Sequence, residues 1–183
     1  MVLTLALLLA AADPQGLYQR LEQRFANDPA AAAAIGRPAP QMREMDWLVG
    51  TWDVATHLEA RGGPPETGTS VVTPVLGGTW LEIRNVFAHG TQSLNYVGYG
   101  AAEGRWISIA FDTLMNGNRA TSSGWTGESI VFEGDFVILG LQAHLRQTVT
   151  RDGPDNYSAI MDERVEGRWQ RLGVNYYHRR RAG

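Results

Sequence analysis

Ten short stretches of alternating residues, separated by turn-forming pairs, run from Gly50 almost to the end of the sequence. Val, Ile, Thr, Trp and Tyr are frequent in these stretches, a composition typical of β-strands. Pairs such as Gly77-Gly78 and Asp152-Gly153 stand between them and favour tight turns. The predicted strands are Thr51–Ala60, Gly68–Val75, Thr79–His89, Gln92–Gly100, Arg105–Asp112, Arg119–Thr126, Ser129–Glu133, Val137–Arg151, Tyr157–Val165 and Trp169–Arg179. The pattern predicts an all-β domain of sequential antiparallel strands.

Closure of this sheet follows from its size. About ten hairpin-linked strands in one open sheet would expose two unpaired edges, whereas a closed barrel exposes none. Alternation along the strands predicts one apolar face, carrying Leu81, Ile83 and Phe87 in one strand and Ile109 and Phe111 in another. We therefore predict an up-and-down antiparallel β-barrel with a short N-terminal helical extension.

The first 41 residues differ in character from the rest. Residues 1–12 form an apolar run ending in Ala10-Ala11-Ala12, a pattern typical of a secretory signal peptide, although no Lys or Arg precedes it. A mis-assigned start and an uncleaved N-terminal helix are the alternatives. Residues 13–41 contain a stripe of Leu17, Leu21 and Phe25 at helical spacing, then an Ala/Pro-rich linker. We expect an exported, periplasmic or secreted protein whose barrel domain covers residues 42–183.

Charge and composition exclude several classes of function. The net charge is −3 and the isoelectric point is near 5.8, so neither nucleic acid nor an anionic membrane is an expected partner. The apolar N-terminal run is too short for a permanent transmembrane helix. The chain contains no cysteine, which excludes disulfides and thiolate metal sites. Nothing in the composition indicates an oligomeric state.

Candidate catalytic and metal-binding groups are sparse. The four histidines stand singly, without the spacing that places two imidazoles on one face, so no metal site is predicted. Acid/base chemistry inside an apolar barrel would suit a carboxylate, since burial raises its pKa toward neutrality. Asp112 is the candidate for such a catalytic role. The alternative is that Asp112 caps the turn from Thr113 to Asn116.

Several motifs resemble a known family of barrels. Asp46-Trp47-Leu48-Val49-Gly50-Thr51-Trp52 is similar to the Gly-x-Trp opening of the calycins, the lipocalin-like barrels, whose Trp plugs one end. Leu76-Gly77-Gly78-Thr79-Trp80-Leu81, Tyr96-Val97-Gly98-Tyr99, the strand from Trp106 to Asp112 and the ending Tyr177-His178-Arg179 resemble the bacterial family DUF1579. The resemblance covers residues 45 to 180 and implies a calycin barrel. It implies no particular activity.

Related barrels suggest two ways of holding a ligand. Nitrobindins are similar ten-stranded barrels that hold haem through one histidine on the final strand, which makes His178 the residue to consider. If Tyr177 and Asn175 face inward, however, His178 faces outward by alternation. Fatty-acid-binding barrels, which this chain also resembles distantly, pair a ligand carboxylate with arginine. The corresponding candidates here are Arg84, Arg146 and Arg164.

The predicted function is non-catalytic binding of a small apolar or amphipathic molecule in the barrel lumen, with no cofactor. The predicted ligand-binding residues are Trp52, Leu81, Ile83, Phe87, Tyr96, Ile109, Phe111, Trp125, Leu141, Tyr157, Asn175 and Tyr177. The alternatives are a cofactor-independent isomerase or cyclase acting in the lumen, a haem-binding protein, and a barrel filled by its own side chains.

Overall fold

The computed structural model describes residues 16–60 and 62–181, in two compact units that divide after Ile35. In the first unit, helix α1 covers Leu17–Asn27 and helix α2 covers Pro29–Ala33. α1 therefore contains the predicted apolar stripe, and none of its residues is buried. The predicted signal peptide lies outside the described residues. No helix among the described residues has the length and apolar character needed to cross a membrane.

The second unit begins with a 3₁₀ helix at Pro40–Leu48 and continues as eleven strands. A short 3₁₀ turn at Leu76–Gly78 separates the second strand from the third. The strands are β1 Gly50–Leu58, β2 Glu66–Val75, β3 Trp80–Phe87, β4 Gln92–Gly100, β5 Arg105–Asp112, β6 Asn118–Ser122, β7 Trp125–Thr126, β8 Ser129–Ile138, β9 Leu141–Arg151, β10 Asn156–Val165 and β11 Arg168–Arg179.

Consecutive strands pair antiparallel, except that β6 does not pair with β7. β1 also pairs with β11. β6 pairs with β8 through Thr121 and Glu133, which closes the sheet. Ten strands thus form the wall, and the two-residue β7 is an extra piece paired to β8. The predicted fold class, an up-and-down barrel with an N-terminal helix, is confirmed.

Most predicted strand ends lie within two residues of the observed ones, but the structure breaks the chain differently in two places. The stretch Arg119–Thr126 is broken after Ser122, because Gly124 adopts a φ of 121° that a strand residue with a side chain rarely reaches. The predicted break before Val137 is absent, and β8 runs on to Ile138. The chain instead turns at Leu139 and Gly140, both with positive φ. In the sequence, the apolar run from Phe136 to Leu139 leads into this turn and Gly140 alone marks it.

The 3₁₀ helix at Pro40–Leu48 contributes Met42, Met45 and Leu48 to the core. Trp52, fully buried in β1, donates a hydrogen bond from Nε1 to the carbonyl oxygen of Leu48 at 2.8 Å. The helix and Trp52 together close one end of the barrel, which we call the closed end. This arrangement agrees with the predicted role of Trp52 as a plug.

Candidate functional site

The barrel interior contains a small cavity of about 60 Å³. By volume this is room for about two water molecules, well below the several hundred cubic ångströms of a typical drug-sized site. Its walls come from the 3₁₀ helix and from seven strands. The lining residues are Met45, Leu48, Ile83, Asn85, Asn95, Val97, Ser108, Ile130, Phe132, Gln147, Val149, Tyr157, Ala159 and Tyr177.

Two tyrosines form the side of the cavity nearest the closed end. Tyr157 and Tyr177 are register partners on β10 and β11, and their rings stack in parallel with centroids 4.0 Å apart. Tyr157 also meets the edge of Trp52 at 4.7 Å. Burial raises the pKa of Tyr177 to about 12, and burial together with Tyr177 raises the pKa of Tyr157. Both phenols therefore stay neutral at physiological pH and keep a hydroxyl proton to donate.

Polar but uncharged side chains complete the cavity wall. Asn85 is 6% exposed, and its Nδ2 donates to Ser93 Oγ at 2.8 Å. Its other amide atom, Oδ1, is buried and accepts no hydrogen bond from any described residue. Leaving a buried acceptor unpaired costs about 1–3 kcal/mol, so such an atom indicates a place where water or a ligand group donates.

Sequence analysis missed this polar wall, formed by Asn85, Asn95, Ser108 and Gln147. The signal was present for Asn85, which has the same parity in β3 as Leu81 and Ile83. A polar residue at that position on an otherwise apolar face marks a buried hydrogen-bonding group. Ser108 was missed because the inward face of β5 was assigned incorrectly.

Most of the predicted ligand-binding residues lie inside the barrel. Ile83, Tyr157 and Tyr177 line the cavity itself. The other inward residues are Trp52 and Leu81, both buried, Phe87, partly buried, and Asn175, whose Nδ2 donates to Tyr177 Oη at 3.3 Å. Trp125 packs on Trp47 at the closed end, 6.1 Å between centroids.

Four predicted ligand-binding residues lie elsewhere. Tyr96, Ile109 and Phe111 are on the outer face, because their strand neighbours Val97, Ser108 and Ala110 face inward instead. Tyr96 donates to Glu82 there, at 2.9 Å, and packs against Phe111. Leu141 has inward parity but stands at the strand end, 73% exposed. The prediction that these four side chains line the lumen is wrong.

Asp112 caps a turn. Its Oδ1 accepts hydrogen bonds from the backbone N–H groups of Leu114 at 2.6 Å and Met115 at 2.8 Å. These contacts match the capping interpretation of Asp112. Its carboxylate does not line the lumen cavity.

The residues of the lumen do not fit a haem held by histidine. His178 faces outward on β11, where its Nδ1 bonds Asn156 Oδ1 at 2.8 Å. None of the described residues that line the cavity is a histidine, and the cavity has far less volume than a porphyrin. Among the described residues, no group of three or more His, Asp or Glu side chains is placed to hold a metal ion.

The candidate arginines also lie outside the lumen. Arg146 donates to Asp162 at 2.8 Å, Arg171 donates to the same carboxylate at 2.9 Å, and the Arg146 guanidinium covers the ring of Trp169 at 4.2 Å. Burial would raise the pKa of Asp162, but the two arginines hold it below its ordinary value. Arg84 pairs with Glu82, and Arg164 is exposed beside Trp169.

Comparison with solved structures shows the fold alone. Rv2717c from M. tuberculosis matches with a TM-score of 0.60 and 18% identity over 79% of this chain and 99% of its own. A redesigned β-barrel matches with a TM-score of 0.35 and 17% identity over 76% of this chain and 96% of its own. Comparison with protein-family models finds no match. Comparison with curated proteins finds none either.

Proposed function

We propose that this protein is a calycin-like barrel, resembling DUF1579, that binds a small amphipathic molecule in its lumen without transforming it. The observation that supports the proposal is the buried, unpaired Oδ1 of Asn85, a residue that lines the lumen cavity. Apolar side chains such as Ile83, Val97 and Phe132 would bury the apolar part of the ligand. The polar wall would fix its orientation.

The size of the cavity restricts how binding occurs. A volume of about 60 Å³ admits a very small molecule, or one end of a larger molecule whose remainder extends toward the end opposite the 3₁₀ helix. Phe87, Met115 and Ile138 are only partly buried. Rotation of these side chains would enlarge the space available to a longer ligand.

The proposal is tested by native mass spectrometry of the full chain, beside the same sample denatured and extracted into organic solvent. We expect a discrete extra mass that is lost on denaturation. Filling the cavity should abolish it, so Ala159→Leu, or the milder Ser108→Val, should give a folded protein without the extra mass. Ala88→Leu, at an exposed position after β3, is the matched control and should retain it.

The proposal would be contradicted if the wild-type chain, purified from its native source, carried no extra mass. The same conclusion would follow if the cavity-filling variants kept the bound mass. Either result would favour a barrel filled by its own side chains.

A further inference from the structure

The cavity wall carries hydrogen-bonding groups but no charge. All fourteen of its described lining residues are neutral, and six of them are amides, hydroxyls or phenols. Arg146 and Asp162 pair with each other on the outer face, and Arg179, on Trp52 at the closed end, donates to the carbonyl oxygens of Val49 and Trp47. The cavity wall itself therefore offers no counter-ion to a charged ligand.

Ligand charge is decisive in such a cavity. An ionised carboxylate or ammonium group that leaves water without a counter-ion loses far more solvation than neutral hydrogen bonds can replace. A neutral amide or hydroxyl group loses much less, and the wall can restore its hydrogen bonds. The lumen is thus selective against charged groups.

The unpaired atom defines the complementary ligand group. Asn85 lines the cavity and its Nδ2 donates to Ser93 Oγ, so Oδ1 is the amide atom left without a partner among the described residues. A partner for Oδ1 has to donate an N–H or O–H. Tyr177 Oη accepts from Asn175, which leaves its own hydroxyl proton available to an acceptor on the ligand. A primary amide or an alcohol supplies both a donor and an acceptor within a few atoms.

We propose that the lumen selects ligands whose buried end is a neutral amide or hydroxyl group donating to Asn85 Oδ1, and that it rejects carboxylates. This inference rests on the proposed function, since it names the class of ligand for the same cavity. It departs from the sequence-based expectation that a wall arginine pairs with a ligand carboxylate.

Propanamide and propanoate test the inference, because they share shape and size and differ in charge at neutral pH. Ligand-observed NMR titrations of the full chain would measure both affinities. We expect propanamide to bind at least about ten-fold more tightly, since one unpaired buried charge outweighs a neutral hydrogen bond by more than 1.4 kcal/mol. Asn85→Leu should weaken the binding of propanamide by about ten-fold, as expected for the loss of a buried hydrogen bond. Asn116→Leu, in the exposed turn before β6, is the control and should leave the affinity for propanamide unchanged.

Equal or tighter binding of propanoate by the wild-type chain would overturn the inference, whether or not Asn85→Leu folds. Unchanged propanamide affinity in folded Asn85→Leu would overturn it as well. If neither probe binds, the inference fails. The proposed function fails with it only when the full chain also carries no bound mass.

Discussion

Arg179 joins the last strand to the closed end of the barrel. Its guanidinium lies 4.1 Å above the ring of Trp52 and donates to the carbonyl oxygens of Val49, at 2.9 Å, and Trp47. Trp47 lies in the last turn of the 3₁₀ helix and Val49 directly after it, so neither residue belongs to a strand. One side chain thus stacks on the plug and supplies the hydrogen bonds that fix the segment in front of it.

Arg179→Met should therefore destabilise the fold by about 2–4 kcal/mol, because it removes charged donors from two carbonyls and the cation above Trp52. Urea unfolding followed by tryptophan fluorescence measures the change. Arg181→Met removes a surface ion pair to Asp155 from a side chain that is 83% exposed. This control should cost no more than about 0.5 kcal/mol. Equal losses in the two variants would contradict the role given to Arg179.

At the scale of elements, alternation predicted some strands well and failed in others. In β3 the faces differ clearly, so Leu81 and Ile83 were correctly placed inward. In β5 both faces are apolar, since Trp106 and Ala110 alternate with Ile107, Ile109 and Phe111. Alternation cannot decide between two apolar faces, and the choice was wrong. The pairing of Val97 with Ser108 across the sheet decides it, and that register is not visible in the sequence of one strand.

The prediction of the candidate site was limited in a similar way. Tyr157 and Tyr177 were found because aromatic residues stand out in their strands. Asn85 was passed over because hydrophobic pattern analysis weighs apolar residues and ignores an amide among them. The size of the lumen depends on the distances between side chains on opposite walls of the barrel. The sequence of a single strand does not contain these distances, so the size of the cavity could not be predicted.

The hairpin between β8 and β9 contains a strained residue. Leu139 has a φ of 50° and a side chain that is 73% exposed, so it occupies the left-handed region without gaining burial. Asn followed by Gly suits such a two-residue turn much better than Leu followed by Gly. Leu139→Asn should raise stability by about 0.5–1 kcal/mol through relief of this strain.

Thermal unfolding measures the gain. Leu141→Asn is the matched control, because Leu141 is equally exposed but belongs to β9, where Asn has no conformational advantage. A gain of the same size in both variants would mean that reduced exposed apolar surface, and not backbone strain, explains the effect.

At the scale of the whole molecule, the barrel is completed by a narrow seam between β6 and β8. One ladder pair joins these strands, and Asn118 adds a side-chain hydrogen bond from the N–H of Val137 at 2.9 Å. Gly134 permits the close approach, since a Cβ at that position would overlap the carbonyl oxygen of Arg119 and lie 3.0 Å from Ala120 Cα. Backbone contact replaces the regular hydrogen-bond ladder of the other strand pairs.

Gly134→Ala should force the seam apart and cost about 1–3 kcal/mol, the range for overpacking a tight contact. Hydrogen–deuterium exchange should show faster exchange in β6 and β8, with little change in β2 and β3 on the other side of the barrel. Gly16→Ala, at an open position with a φ of −63°, is the control and should leave exchange unaltered. Uniform acceleration across all strands would show that the seam has no special part in closure.

The direct pairing of β1 with β11 places the start and the end of the strand sequence side by side, with Trp52 opposite Arg179. None of the ten wall strands is therefore an edge strand, because each has a paired neighbour on both sides. A linker could join the end of β11 to Pro40, where the 3₁₀ helix before β1 begins, and new termini could be opened at the turn around Gly127, beside the seam. Such a circularly permuted chain, beginning at β8 and ending at β7, would contain every strand pairing of the original barrel.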